Sequence, residues 1–483
     1  MPRLVISGLS GGGGKTLVAL GLSRSLTRRG LAVKPCKKGP DYIDAAWLAL
    51  ACGRTATNLD PFFLSDERLR ALFFHVCGMG SEKTPPVAVA LIEGNRGLYD
   101  GRDVAGSCST AALARILDAP ILLALNITKM TRTAAAIVAG LAQFEAIRLG
   151  GVILNQTGSS RHATLARQAI ETYTDIPVLG ELPRLKENPI PERHMGLVSI
   201  HNESGEATAS CADQTLLQSL DKLADFLEAH VDIDAVLALA HSAPAMPAQA
   251  PFWKESLADT PRPRIGFVRD AALWFYYEEN LEALRRAGAE LVELSLLSDA
   301  PWDKGLDGLY LGGGFPEMLA QRLSQSPHLA TIRAFSLNGM PLYAECGGFM
   351  ILCESLRING HDYPMSGLFP ARAEFCSRPQ GLGYVEATVL KENPFHPVGA
   401  VLRGHEFHYS RCVALDTLVP TLQLCPGTGM SGTPDKLPKG SLLQGQDGLL
   451  VRNTFAAYTH LFAPAVPHWA SAFVRACRAF AQK

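Results

Sequence analysis

Two short stretches of this sequence hold residue types that chemistry needs. In the first, the apolar run Leu4-Val-Ile-Ser7 leads into Gly8-Leu-Ser-Gly-Gly-Gly-Gly-Lys15-Thr16, and a helical pattern follows from Leu17. Gly8, Gly11, Gly12, Gly13 and Gly14 let backbone N–H groups fold around phosphate oxygens, and the helix N-terminus adds partial positive charge. Lys15 reaches for the outer phosphates, and the Thr16 hydroxyl can bind magnesium. Gly8 and Gly14 enclose five residues where the strict pattern has four, and Leu9 occupies the strict position. A flexible strand-to-helix linker is the plain alternative. Four consecutive glycines cost backbone entropy, however, which a bound ligand offsets.

In the second stretch, apolar Met340 to Ala344 runs into Glu345-Cys346-Gly-Gly-Phe-Met350, with apolar residues at helical spacing after the glycines. This reads as a strand, a tight elbow and a helix start, with Cys346 held exposed on the elbow where the helix end favours thiolate. An unperturbed thiol is barely ionised at neutral pH, so a base is needed, and His460 is the candidate. A buried structural cysteine and a solvated histidine are the alternatives. Gly312-Gly-Gly-Phe315 follows the strand Gly308 to Leu311, and the amides of Gly313, Gly314 and Gly347 can stabilise an oxyanion. An ordinary strand-to-helix turn would look the same.

Magnesium also asks for carboxylates. Glu93 follows the buried run Val87 to Ile92 and so ends a strand beside the phosphates. Asp41 and Asp44 lie in Gly39-Pro-Asp-Tyr-Ile-Asp44, and Asp100 in Gly97-Leu-Tyr-Asp-Gly101, loops that reach the same rim. Each aspartate is equally well a turn or N-cap residue. A zinc motif at Arg403-Gly-His-Glu-Phe-His-Tyr-Ser410 is rejected, because His405 and His408 are three apart and HExxH needs four. These histidines line the site or cap a strand.

The elements that position these groups follow from the wider pattern. At 483 residues the chain predicts two or three domains. With 47% hydrophobic and 19% charged residues it is too apolar to be disordered. A net charge of -1 gives no global attraction for nucleic acid or an anionic membrane. No apolar run approaches a membrane span, and the first strand leaves no room for a signal peptide, so a cytoplasmic protein is expected. Eleven cysteines without a CxxC pair fit reduced thiols.

Apolar runs alternate with amphipathic stretches at Leu4–Ser7, Leu31–Val33, Val87–Ile92, Ile121–Leu125 and Val152–Leu154, predicting a parallel sheet covered by helices. Ligands of such sheets sit at the strands' carboxyl ends. Asp213 to Val231 reads as an amphipathic helix, and His241 to Pro263 as a linker rich in Ala, Pro and Ser. A second alternation starts at Arg264–Val268, and its tail from Gly381 turns to short strands. The expected architecture is two doubly wound α/β domains, at 1–205 and 263–483, with a helix and linker over 206–262.

Together these residues resemble the cobyrinic acid a,c-diamide synthase family across essentially the whole chain. The resemblance rests on the phosphate loop, Lys37 to Asp44, Glu93 through Gly101, Gly151 to Asn155, Leu182-Pro183 with Pro191 to His194, Leu311 to Glu317, Glu345 to Gly348, Gly404 to Ser410 and Tyr458-Thr-His460, in that order. It implies an ATPase domain similar to dethiobiotin synthetase and a domain similar to class I glutamine amidotransferases. ATP and Mg2+ would be held by Lys15 and Thr16, with Asp41 and Glu93 completing the metal site and Asn155 reading adenine. Tyr42, Asp44 and Asp100 would lie near the tetrapyrrole carboxylate, and Cys346 with His460 would hydrolyse L-glutamine. A homodimer is compatible with the family. Three departures stand out. Asn126 replaces a frequent Asp, Asn95-Arg96 replaces commonly apolar residues, and the usual His-x-Glu is missing because Leu461 and Phe462 follow His460.

The implied reaction activates a peripheral carboxylate as an acyl phosphate and feeds it ammonia from glutamine, sheltered between the domains. Nickel sirohydrochlorin and hydrogenobyrinic acid are alternative substrates, and cobyric acid synthases are a second set of relatives. A partition-ATPase-like nucleotide switch is the alternative that is not an enzyme, and the Cys346 elbow with His460 argues against it.

Overall fold

The computed structural model describes residues 1–79, 87–185, 190, 192–193, 196–197, 209–253, 262–303, 305–431 and 445–483. Pro191 and His194, quoted above for the resemblance, lie outside them. The described residues of 1–253 form one unit and those of 262–483 the other.

The first unit alternates strands and helices: β1 (Arg3–Gly8), α1 (Lys15–Arg28), β2 (Val33–Lys38), α2 (Tyr42–Cys52), β3 (Thr57–Leu59), α3 (Asp66–Val76), β4 (Val89–Glu93), α4 (Thr110–Ile116), β5 (Ile121–Asn126), α5 (Arg132–Phe144), β6 (Leu149–Thr157), α6 (Ser160–Tyr173), β7 (Val178–Pro183), α7 (Ala209–His230) and α8 (Ile233–His241). The strands form one parallel sheet in the order β3-β2-β4-β1-β5-β6-β7. β1, β4 and β5 are covered on both faces, which is why their sequences are nearly continuous apolar runs rather than alternating ones. The register Ile6↔Glu93 sets the end of β4 beside the start of the glycine loop.

The helix expected over Asp213–Val231 is α7, and it belongs to the first unit rather than to a linker. Leu223 and Leu227 pack so closely on α1 that a Cβ on Gly21 would fall 2.5 Å from Leu227. Arg24 adds an ion pair to Asp221 at 2.7 Å, and the Ser25 hydroxyl donates to Glu228 at 2.6 Å.

In the second unit, Glu290–Leu294, Arg264–Val268, Gly308–Leu311, Leu342–Glu345, Thr454–Ala457 and Leu449–Val451 form a six-stranded sheet in that order, parallel except for the last pair. The chain after Leu352 builds two further sheets, one of them five-stranded and antiparallel. Its strand Val401–His408 pairs with His460–Leu461, so that His405 lies opposite His460. Among the described residues no helix is long and apolar enough to cross a membrane.

Candidate active site

The glycine loop leaves β1 and enters α1 at Lys15. Gly12 and Gly14 are in the left-handed region, at φ 72° and 91°. A Cβ on Gly14 would fall 2.0 Å from Asn155 Nδ2, so the loop's path depends on that glycine. Gly8 packs beside the Ala124 carbonyl, and nothing lies within 4 Å of where Cβ atoms on Gly11 and Gly12 would stand. Lys15 is buried, and its Nζ donates to the Ser10 carbonyl at 3.3 Å. Burial, and then Lys37, hold Lys15 below its usual pKa.

The Thr16 hydroxyl donates to Glu93 Oε1 at 2.5 Å. Glu93 is fully buried, and its Oε2 has no hydrogen-bond partner among the described residues. Burial pushes this carboxyl up to about 7, even with Lys37 Nζ 3.2 Å away. A buried carboxylate with a spare oxygen, next to a hydroxyl at the foot of a phosphate loop, fits magnesium, which takes few protein ligands and shares phosphate oxygens. Among the described residues no group of three or more His, Cys, Asp or Glu forms a metal cage.

Lys37 Nζ also donates to Asp44 Oδ2 at 2.6 Å and to the Gly94 carbonyl at 3.3 Å. Burial acts to lower its pKa, but Asp44, Glu93 and Asp41 outweigh it and hold the ammonium above its usual range. Asp41 is the N-cap of α2 and accepts from the Asp44 amide at 2.9 Å. Burial and Asp44 push its carboxyl up to about 6. Tyr42 is buried at the start of the same helix.

Three polar side chains are engaged within the protein. Asn155 Nδ2 donates to the Gly13 carbonyl at 3.1 Å and its Oδ1 accepts from the Gln156 amide at 2.9 Å, so the amide braces the glycine loop. Asp100 Oδ2 accepts from the Gly97 amide at 2.9 Å and fixes its own turn, the local role available to any Asp there. Asn126 likewise caps a turn, accepting from Thr128 N and Oγ1. Arg96 is exposed, with φ 52°.

In the second unit Cys346 sits at φ 46°, ψ −103°, a strained elbow between the strand Leu342–Glu345 and the helix Gly347–Leu352. The elbow is as expected, but the cysteine is buried rather than exposed. Burial, then Glu317, push its thiol well above the usual range. A six-residue helix has too small a dipole to reverse that cost.

His460, the expected base, lies near the elbow. The Cys346 amide donates to the Ala457 carbonyl at 2.7 Å, joining the elbow to the strand that precedes His460. A Cβ on Gly313 would fall 2.3 Å from His460 Cε1, and one on Gly347 would fall 3.0 Å from the Gly314 amide nitrogen. Cysteine, imidazole and the three expected oxyanion glycines thus share one place. The loop into His460 is held by buried Asp447, which accepts from the amides of Tyr458 and Thr459 and from the Thr459 hydroxyl. His405 stacks on His460 with ring centroids 4.8 Å apart. His408 points elsewhere, stacking on Tyr458 and contacting Glu406 at 3.4 Å. One histidine lines the site and the other is structural.

Residues 4–198 match the CobQ/CobB/MinD/ParA nucleotide binding domain, and residues 264–466 match the CobB/CobQ-like glutamine amidotransferase domain. A cobyrinate a,c-diamide synthase of Magnetococcus marinus is 39% identical, with 98% of this chain and 97% of that one covered. Proteins of the same name from Dehalococcoides mccartyi and Syntrophotalea carbinolica are each 38% identical, with 99% of both chains covered. The chain belongs to the cobyrinate a,c-diamide synthase family. It is a glutamine-dependent amide-forming ligase with a nucleotide-binding domain.

Sequence reasoning gave two residues of this family member no role. Lys37 is quoted in the resemblance, but it lies beyond the apolar run Leu31–Val33, one residue before the end of β2. Glu345 precedes the nucleophile, and only the fold reveals that its Oε2 lies 3.7 Å from His460 Nδ1.

Proposed function

We propose that this protein amidates the a and c side-chain carboxylates of cobyrinic acid, using ATP and glutamine. A carboxylate does not react usefully with ammonia, because it is anionic and oxide is a poor leaving group. It has first to become an acyl phosphate. When bound, MgATP supplies the phosphoryl group and the divalent charge that steadies its transfer. Lys15 would hold the outer phosphates, the Thr16 hydroxyl and Glu93 would hold the ion, and Lys37 keeps Glu93 and Asp44 in place. Asp41 completes the acidic set.

In the second unit Cys346 would attack the glutamine amide while His460 takes the thiol proton and passes it to the departing ammonia. The amides of Gly313, Gly314 and Gly347 would stabilise the oxyanion. Water then cleaves the thioester and releases glutamate. Ammonia displaces phosphate from the acyl phosphate to give the amide.

The observations that carry this reading are a half-buried Thr16 hydroxyl on buried Glu93 behind a glycine loop, an elbow at Cys346 near His460, and an end-to-end alignment with proteins named cobyrinate a,c-diamide synthase. The test is incubation with MgATP and glutamine against cobyrinic acid, hydrogenobyrinic acid and nickel sirohydrochlorin, reading product masses. Two amide gains on cobyrinic acid are expected. No gain on cobyrinic acid, with two on another acid, would replace the substrate.

A further inference from the structure

His460 has to present one ring nitrogen to the thiol, and that requires something to hold the other. No carboxylate follows it in sequence, since Leu461 and Phe462 are both buried apolar residues. The fold supplies one from elsewhere. Glu345 ends the strand Leu342–Glu345, which runs parallel to Thr454–Ala457 with Glu345 beside Ala457, and His460 lies three residues on. Glu345 Oε2 is 3.7 Å from His460 Nδ1, and both side chains are buried.

Glu345 is itself fixed at both oxygens. Oε1 accepts from the Leu461 amide at 3.1 Å, and Oε2 accepts from the Tyr310 hydroxyl at 3.1 Å. Asn280 Nδ2 donates to Tyr310 Oη at 3.3 Å and to the Leu461 carbonyl at 3.0 Å, and Asn280 Oδ1 accepts from the Ala463 amide at 2.7 Å. The same network therefore grips the carboxylate and the backbone on the far side of His460. The imidazole is confined on its other sides by stacked His405, by Gly313 and by the Phe275 ring 6.2 Å away. His405 brings no charge, because burial and then His460 hold it well below its usual pKa.

We infer that Glu345 is the positioning residue for His460, taking the part that the missing His-x-Glu carboxylate would have played. Resting on the proposed glutaminase chemistry, this holds Nδ1 toward Glu345, leaves Nε2 to exchange the proton with Cys346, and stabilises the imidazolium that forms. The role requires the 3.7 Å separation to shorten once glutamine binds, a tightening that catalytic contacts commonly undergo. The nucleophile and the group that orients its base are then adjacent in sequence.

The test compares kcat and KM of full-length wild type and Glu345→Gln in glutamine hydrolysis, with ammonia-dependent amidation as the check of folding. The groups facing His460 are Glu345 with Tyr310 behind it, His405 with Tyr277 behind it, and Cys346, and only Glu345 changes. The expected loss in kcat is about 10²-fold or more, with KM for glutamine within about threefold. A kcat within about threefold of wild type, with ammonia use kept, would overturn the inference.

Should Glu345→Gln fail to fold, Tyr310→Phe decides, since it frees Oε2 and keeps the charge. A glutamine kcat at least about threefold lower, with ammonia use kept, supports the inference, and a wild-type kcat overturns it. Wild type that releases no ammonia from glutamine removes the proposed chemistry itself. Wild type that does so, beside an indifferent Glu345→Gln, removes only the role of Glu345.

Discussion

Gly313 lies against His460 so closely that a single added carbon would stand 2.3 Å from the imidazole Cε1. A Cβ there would push the ring off its place or displace the glycine strand that faces Cys346. Gly313→Ala should therefore lower glutamine-dependent amidation by about 10²-fold, the scale of loss when a catalytic group is misplaced by about 1 Å. Ammonia-dependent amidation should be kept, because the clash is confined to the second unit. Parallel assays with the two nitrogen sources check this.

Lys37 and Lys15 are both buried lysines of the phosphate site, yet they should fail differently. Lys37 is the only cation within 4 Å of Glu93 among the described residues, and it also pairs with Asp44. Lys37→Met strands two acids, which should cost about 3 kcal/mol of stability, or roughly 6–12 °C in the first transition of a thermal melt. Lys15 donates only to a loop carbonyl, so Lys15→Ala should melt near wild type. It should still lose about 10²-fold or more of amidation with either nitrogen donor, while glutamine hydrolysis persists.

These contrasts mark what the sequence made legible. The glycine loop, the elbow and the two sheets follow from local residue types, since Gly12 and Gly14 need left-handed backbone and buried parallel strands read as apolar runs. The burial of Cys346 does not follow, because its thiol meets the Phe407 carbonyl at 3.6 Å, a neighbour that strand order brings from far along the chain. Nor does the pairing of Glu345 with His460, which arises from the register between two strands far apart in the chain. Asp100 and Asn155 show the converse, where a residue type suited to a ligand is engaged by the protein, Asp100 by its own turn and Asn155 by the glycine loop.

The raised carboxyl of Glu93 gives the nucleotide site a pH dependence. Its pKa is pushed up to about 7 by burial, and Asp41 follows at about 6. Magnesium needs the ionised form, so below about pH 7 a proton must leave on binding and MgATP affinity should fall by up to about tenfold per pH unit. Above that it should level off. The free protein obeys the opposite sign, because a carboxyl raised above its unfolded value contributes stability at low pH that is lost as pH rises through about 7. Calorimetric titration of MgATP between these limits measures the first effect, and Glu93→Gln should flatten it while weakening binding.

The account turns on a division of labour, in which one unit makes the carboxylate electrophilic and the other only supplies nitrogen. Its most direct measurement is the amidation of cobyrinic acid by Cys346→Ala with MgATP, run side by side on glutamine and on an ammonium salt and read by product mass. The account predicts no product from glutamine and near wild-type product from ammonia. Loss of both, or survival of the glutamine reaction, would contradict it.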